Sequence, residues 1–136
     1  RGSTLASIRW LLGNLILLID RLTRPRAPNH PASIQAELDR QTKELSLYQF
    51  RACPFCVRVR RVIRRLGLNI EVRDAKNDPR WRSELTEQGG RYQTPCLRIQ
   101  QDDGSVRWLY ESRDIGRYLD ERFGSEVVAR RAAAVP

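Results

Sequence analysis

The feature that most constrains this chain is the tetrapeptide Cys53-Pro54-Phe55-Cys56, set where one apolar pattern gives way to another. Before it, Leu45, Leu47, Tyr48 and Phe50 suit a buried strand; after it, Val57, Val59, Val62, Ile63 and Leu66 recur at helical spacing. Pro54 fits a first helical turn, where its missing N–H costs nothing, and Gly67 stops the helix. Cys53 is therefore placed at a strand end and a helix start, beside unpaired amide N–H groups and the positive end of the helix dipole. Both stabilise a thiolate. Arg51, Arg58 and Arg60 add nearby cations.

Cys56, one helical turn further, is close enough to attack a mixed disulfide on Cys53 while lying deeper. The pair thus reads as attacking and resolving thiols. The competing reading, half a zinc site, needs four ligands, and the other candidates are Cys96 and the single His30 in a distant loop. Exchange chemistry is preferred, and no metal is expected.

The remaining pattern builds one small α/β domain. Ile70 and Val72, with Glu71 and Arg73 between them, alternate as a strand, and Asn77-Asp78-Pro79 opens a helix that ends near Gly89-Gly90. Residues 96–101, the turn Asp102-Asp103-Gly104-Ser105 and residues 106–110 make a hairpin. Ser112 is expected to cap a last helix carrying Ile115, Tyr118, Leu119 and Phe123. The order is βαβαββα.

Upstream, Leu5, Ile8, Leu12, Leu15, Ile19 and Leu22, joined by Leu11 and Leu18, fall on one broad helical face, with Arg9, Gly13, Asp20 and Arg24 opposite. The apolar run from Trp10 to Ile19 is half of the roughly 20 residues a bilayer span needs, so an amphipathic helix is expected. Pro25, Pro28 and Pro31 then mark a linker, and Ser33 is expected to cap a short helix to about Gln41. The expected divisions are residues 1–22 (amphipathic helix), 23–43 (Pro-rich linker and short helix), 44–123 (redox domain) and 124–136 (tail).

Charge enters through the partners. The chain has 25 Lys and Arg against 16 Asp and Glu, a formal net charge of +9, and favours anions. The arginines are scattered rather than gathered with aromatics, so nucleic acid is not expected. Arg9, Arg21, Arg24 and Arg26 around the apolar helix suit anionic lipid headgroups, giving a cytoplasmic protein in peripheral contact with the inner face of the membrane. Packing of that helix on the redox domain, or dimerisation through it, are the other readings. Three cysteines, two in a C-x-x-C, fit a reducing compartment.

Two further motifs complete the set. Thr94-Pro95 opens the third strand, and Tyr110-Glu111-Ser112 joins the last strand to the last helix. A carboxylate, a hydroxyl and a helix N-terminus side by side suit both charges of an α-amino acid.

Taken together, residues 47–56, Thr94-Pro95 and Tyr110-Glu111-Ser112 resemble the glutaredoxins, and in particular the branch similar to the N-terminal thioredoxin-like domain of glutathione S-transferases. The resemblance implies a thioredoxin-like α/β fold with a mixed four-stranded sheet flanked by helices, preceded here by the amphipathic helix. It implies a glutathione-dependent thiol-disulfide oxidoreductase in which Cys53 and Cys56 are catalytic and Pro95 is a structural cis-proline. Glutathione, a co-substrate rather than a tightly bound cofactor, would meet Arg51, Phe55, Gln93, Thr94, Pro95, Glu111 and Ser112. Glutathionylated or disulfide-containing proteins would be the partners.

Three departures stand out. Phe50 occupies the place where many glutaredoxins carry Lys. Barely a dozen residues follow Phe123, so conjugation of bulky electrophiles in a second domain is not expected. Cys96 follows the Pro directly, as a buried strand residue or as an extra thiol near the site. The alternative function is a glutathione-binding or iron–sulfur-bridging module without turnover.

Overall fold

The computed structural model describes residues 2–124, with side chains from residue 4 onward. The tail expected over 125–136 lies outside the described residues. Nine elements follow one another: α1 (Gly2–Thr23), α2 (Ala32–Thr42), β1 (Leu45–Gln49), α3 (Pro54–Leu66), β2 (Glu71–Asp74), α4 (Pro79–Gly89), β3 (Cys96–Gln100), β4 (Val106–Tyr110) and α5 (Ser112–Phe123).

The four strands form one mixed sheet in the order β2-β1-β3-β4, parallel between β1 and β2 and antiparallel elsewhere. Central β1 is buried at every position. Alternation along it explains why. Leu45 and Leu47 join Val59, Leu66, Leu97, Ile99, Ile115, Leu119 and Phe123 in a core against α3 and α5. Tyr48 points the other way, into a second core with Ala75, Leu85, Cys96 and Tyr110 beside α4. This βαβαββα arrangement is the thioredoxin-like architecture, with the N-terminal helix α1 ahead of it.

Local chemistry sets the element ends. Gly67 adopts φ +70° at the end of α3, and a Cβ there would lie 2.9 Å from both His30 and Pro28, so only Gly serves. Asp78 caps α4 by accepting from the Arg80 N–H at 3.0 Å. Two expected caps are corrected. Ser33 lies inside α2, whose cap position is held by Pro31, and Ser112 is the first residue of α5, whose cap position is held by Glu111. Neither cap residue makes a side-chain capping bond. Strand β2 also departs from simple alternation. Ile70, just before it, is buried, whereas Val72 is 47% exposed because β2 is a sheet edge.

Helix α1 packs in reverse of the usual amphipathic rule. Its inward residues are Gly13, Ile16, Leu17 and Asp20. Leu5, Ile8, Trp10, Leu11, Leu12, Leu15, Leu18, Ile19 and Leu22 are between 46% and 75% exposed. The attachment is polar: Arg61 of α3 donates to buried Asp20 at 3.1 Å and to the Thr23 carbonyl at 2.8 Å, and Arg64 donates to the Pro25 carbonyl at 2.8 Å. His30 Nε2 lies 3.0 Å from the Leu66 carbonyl, which ties down the Pro-rich segment. No helix of the described residues is long and apolar enough to cross a membrane.

Candidate functional site

Cys53 occupies the N-cap of α3 in extended backbone, and its carbonyl accepts the first helical bond from Val57 at 2.9 Å. Its side chain is partly exposed, whereas Cys56, one turn along, is fully buried. Burial pushes the Cys56 thiol up to about 11. Hydrogen bonds accepted by its sulfur from the Phe50 N–H at 3.4 Å and from the Thr94 hydroxyl oppose that rise, whereas the hydrogen bond between the thiol and Cys53 adds to it. At neutral pH Cys56 is thus a protonated thiol held against the sulfur of Cys53. The exposed and buried members of the pair differ in the way attack and resolution require.

The loop before β3 is brought to this pair by several contacts. Thr94-Pro95 is a cis peptide. Tyr92 packs on Phe50 with ring centroids 5.7 Å apart and the rings tilted by 51°, and its hydroxyl donates to the Ala75 carbonyl at 3.1 Å. Phe50, at the place where a lysine was the more familiar residue, is therefore a packing residue that joins the two site loops.

Across from α3, Glu111 carries the one positive φ among the described non-glycine residues, +72°. Such a conformation costs about 1–3 kcal/mol and turns the chain sharply into α5. The first α5 bond runs from the Ile115 N–H to the Glu111 carbonyl at 3.0 Å, so the N–H groups of Ser112, Arg113 and Asp114 have no intrahelical acceptor. The Glu111 carboxylate accepts from Gln93 Nε2 at 3.4 Å.

These pieces line one groove of about 560 Å³, formed by Phe55, Arg58, Gln93, Thr94, Pro95, Glu111, Ser112, Arg113 and Asp114. Six of the seven residues expected to meet glutathione are here. Arg51 is not: its carbonyl is held by Arg60 at 2.7 Å, and its side chain lines a different groove, beside α1. Arg58, Arg113 and Asp114 were missed as groove residues. Arg58 sits one turn after Phe55, and the other two follow Ser112 in a first helical turn, a spacing that marked them as neighbours. Arg60 is taken up by Gln49 at 2.8 Å and by the Arg51 carbonyl, and Cys96 is a buried strand residue in the α4-side core. Burial pushes the Cys96 thiol up to about 12. Among the described residues no three His, Cys, Asp or Glu side chains gather as metal ligands.

A thioredoxin-like sheet with a partly exposed cysteine at a helix N-terminus, and a cis-proline loop whose Thr94 bonds the second cysteine of the motif, defines the class. Residues 47–127 match the family model "Glutathione S-transferase, N-terminal domain", and the chain belongs to that family. Among solved structures, it is similar to maleylacetoacetate isomerase from Anaeromyxobacter dehalogenans 2CP-1. The form with bound dicarboxyethyl glutathione and citrate in the active site matches at 27% identity and TM-score 0.47, over 60% of this chain and 37% of that one. The form with bound GSH matches at 26% and TM-score 0.47, over 60% and 38%. Glutaredoxin from Brucella melitensis matches at 22% and TM-score 0.41, over 61% of this chain and 90% of that one. The chain thus spans little more than a third of the isomerase's length. No curated protein matches.

Proposed function

We propose that the protein is a glutaredoxin-type, glutathione-dependent thiol-disulfide oxidoreductase. The observation that carries this reading is the pairing of a partly exposed Cys53 at the α3 N-terminus with a buried Cys56 thiol hydrogen-bonded to it. The Cys53 thiolate attacks the glutathionyl sulfur of a mixed disulfide. A Cys53–glutathione disulfide forms, and the other thiol leaves and takes up a proton. A second glutathione thiolate then attacks the glutathionyl sulfur, regenerating Cys53 and releasing oxidised glutathione. With a protein disulfide, Cys56 loses its proton, attacks the sulfur of Cys53 and expels the second substrate thiol. Two glutathiones reduce the resulting Cys53–Cys56 disulfide.

Glutathione fits the groove by its charges. Thr94 and cis-Pro95 offer backbone to its cysteinyl part. The Glu111 carboxylate suits the ammonium of the γ-glutamyl end, and the free N–H groups at the start of α5 suit its carboxylate. Arg58 and Arg113 are placed to balance the remaining negative charge. Residues 44–123 are the unit assigned this activity, with 23–43 joining it to α1 and 124–136 as a tail.

The test is glutathione-dependent reduction of a small mixed disulfide, coupled to glutathione reductase and NADPH. Cys53→Ser is expected to abolish turnover, while Cys56→Ser keeps deglutathionylation and loses reduction of protein disulfides. A wild type that binds glutathione without turning over would replace the enzyme by a binding module.

A second assignment concerns α1. Its outward apolar row, with Arg9, Arg21, Arg24 and Arg26 nearby, supports peripheral contact with an anionic, inner-leaflet surface of a cytoplasmic protein. Binding of the full chain to anionic vesicles at low salt, lost in a chain beginning at Ala32, is the expected result. Equal sedimentation of both chains would remove this assignment.

A further inference from the structure

Cys53 lines neither of the two grooves beside it. Phe55, two residues on, lines the groove assigned above to glutathione, and Ala52, the residue before it, lines a second one of about 700 Å³. The far wall of this second groove is α1, which comes so close at Gly13 that a Cβ there would lie 3.1 Å from the Cβ of Ala52. Leu5, Trp10 and Leu17 give the groove apolar walls, and Arg9, Arg51 and Lys76 surround it with positive charge. No carboxylate lines it, and among the described residues none of these three side chains is in an ion pair.

We infer that this second groove receives the protein half of the substrate, a peptide segment carrying acidic side chains next to the modified cysteine. The inference rests on the glutathione assignment of the first groove. A mixed disulfide has two halves joined at the sulfurs: in-line attack by Cys53 on the glutathionyl sulfur drives the leaving thiol away from Cys53, and the protein half, a segment many residues long, must rest on surface around the site that glutathione leaves open. Ala52, next to Cys53 in the chain, and α1 line such a surface and no part of the glutathione groove. Three exposed cations outside any close ion pair, of which Lys76 alone feels a nearby carboxylate, that of Asp74, favour an anionic occupant, and Leu5 and Trp10 favour one with apolar residues as well. An anionic lipid surface shares the charge but fits the position less well. The continuous apolar row of α1, through Leu11, Leu15, Leu18 and Leu22, is outside the groove, whereas Arg9 and Lys76 both line it.

The experiment compares two synthetic glutathionylated peptides, one with Asp and Glu flanking the cysteine and one with Lys, against the mixed disulfide of glutathione and 2-mercaptoethanol. The full chain is used at low and at moderate salt. The wild type is expected to favour the acidic peptide by about tenfold in kcat/KM at low salt, with the preference shrinking as salt rises. The double reversal Arg9→Glu with Lys76→Glu is expected to remove that preference and leave the small disulfide's rate unchanged. Equal rates for the two peptides in the wild type, or a preference that survives the double reversal, overturn the inference. Loss of anionic-vesicle binding in the reversal, with peptide preference intact, assigns the cations to lipid and overturns it as well. If the wild type reduces none of the three disulfides, it is the oxidoreductase reading that falls. Fluorescence anisotropy of the same labelled peptides with Ser for Cys then decides the groove: tighter binding of the acidic peptide, weakened by the reversal, supports it, and equal binding overturns it.

Discussion

Strand β1 and helix α1 are both rich in leucine, yet they bury opposite sides of themselves. In β1 every residue is covered, because a central strand has helices over one face and α4 with its aromatics over the other. In α1 every leucine but Leu17 faces outward, and the contact with the rest of the molecule runs through Gly13, Asp20 and Thr23. Apolar area removed from water holds the sheet, whereas an ion pair and a few hydrogen bonds to Arg61 and Arg64 hold α1. A hydrophobic stripe thus marks what must be covered, and the covering partner need not be the same chain. The arginines of α3 are what make the second arrangement possible. Arg60, Arg61, Arg64 and Arg65 each have an oxygen partner, and Arg58 turns to the groove.

The contrast is broken most directly by truncating a leucine in each region. Leu47→Ala is expected to cost about 2–5 kcal/mol, the range for a fully buried leucine, and Leu11→Ala to stay within about 0.5 kcal/mol. Urea unfolding followed by circular dichroism reads both, and a comparable loss for the two would mean that α1 belongs to the core.

A smaller effect is expected from Asp20→Ala, which takes the buried partner from Arg61. Because the Arg61 side chain is 34% exposed, the loss is expected to be about 1–2 kcal/mol, below that of a fully buried pair. Its signature is local: limited proteolysis should cut between Thr23 and Pro31 sooner than in the wild type, while the urea midpoint of the sheet stays nearly unchanged. A shifted midpoint with unchanged cleavage would contradict the polar attachment.

The smallest effect, at its onset near pH 9, is a pH dependence that touches the sheet and α3, since α1 carries no cysteine. Burial raises the thiols of Cys56 and Cys96 from about 9 to about 11 and about 12. Above pH 9 the unfolded chain releases these protons while the folded chain retains them, so stability is full below pH 9 and falls as pH rises through the folded values. A urea midpoint declining from about pH 9, less steeply in Cys96→Ala, is the expected record.

Much of this was legible in the amino-acid order. The strand-Cys-Pro-helix junction, the Gly67 stop, the Asp78-Pro79 start and the turn before β4 are local events, each decided by residues within a few positions of one another. The βαβαββα order followed from them, and the mixed sheet and six of the groove residues followed from the family resemblance that the short motifs carry. The two misassigned caps were also local, but at Glu111 and Pro31 backbone conformation outweighed the capping preference of the serine nearby.

What the order could not contain is which face of an element gets covered. Periodicity reports that Leu11, Leu15, Leu18 and Leu22 share a side of α1, and it is silent on whether that side meets protein or solvent. That was decided by Arg61, 41 residues from Asp20, because the pairing exists only after α3 is laid on the sheet. The same holds for Arg51, adjacent in sequence to the redox motif yet turned to the α1 side, and for Val72, apolar but left at a sheet edge. Neighbours along the chain share a local conformation, whereas neighbours across a groove are set by how helices dock, and docking depends on all the elements at once.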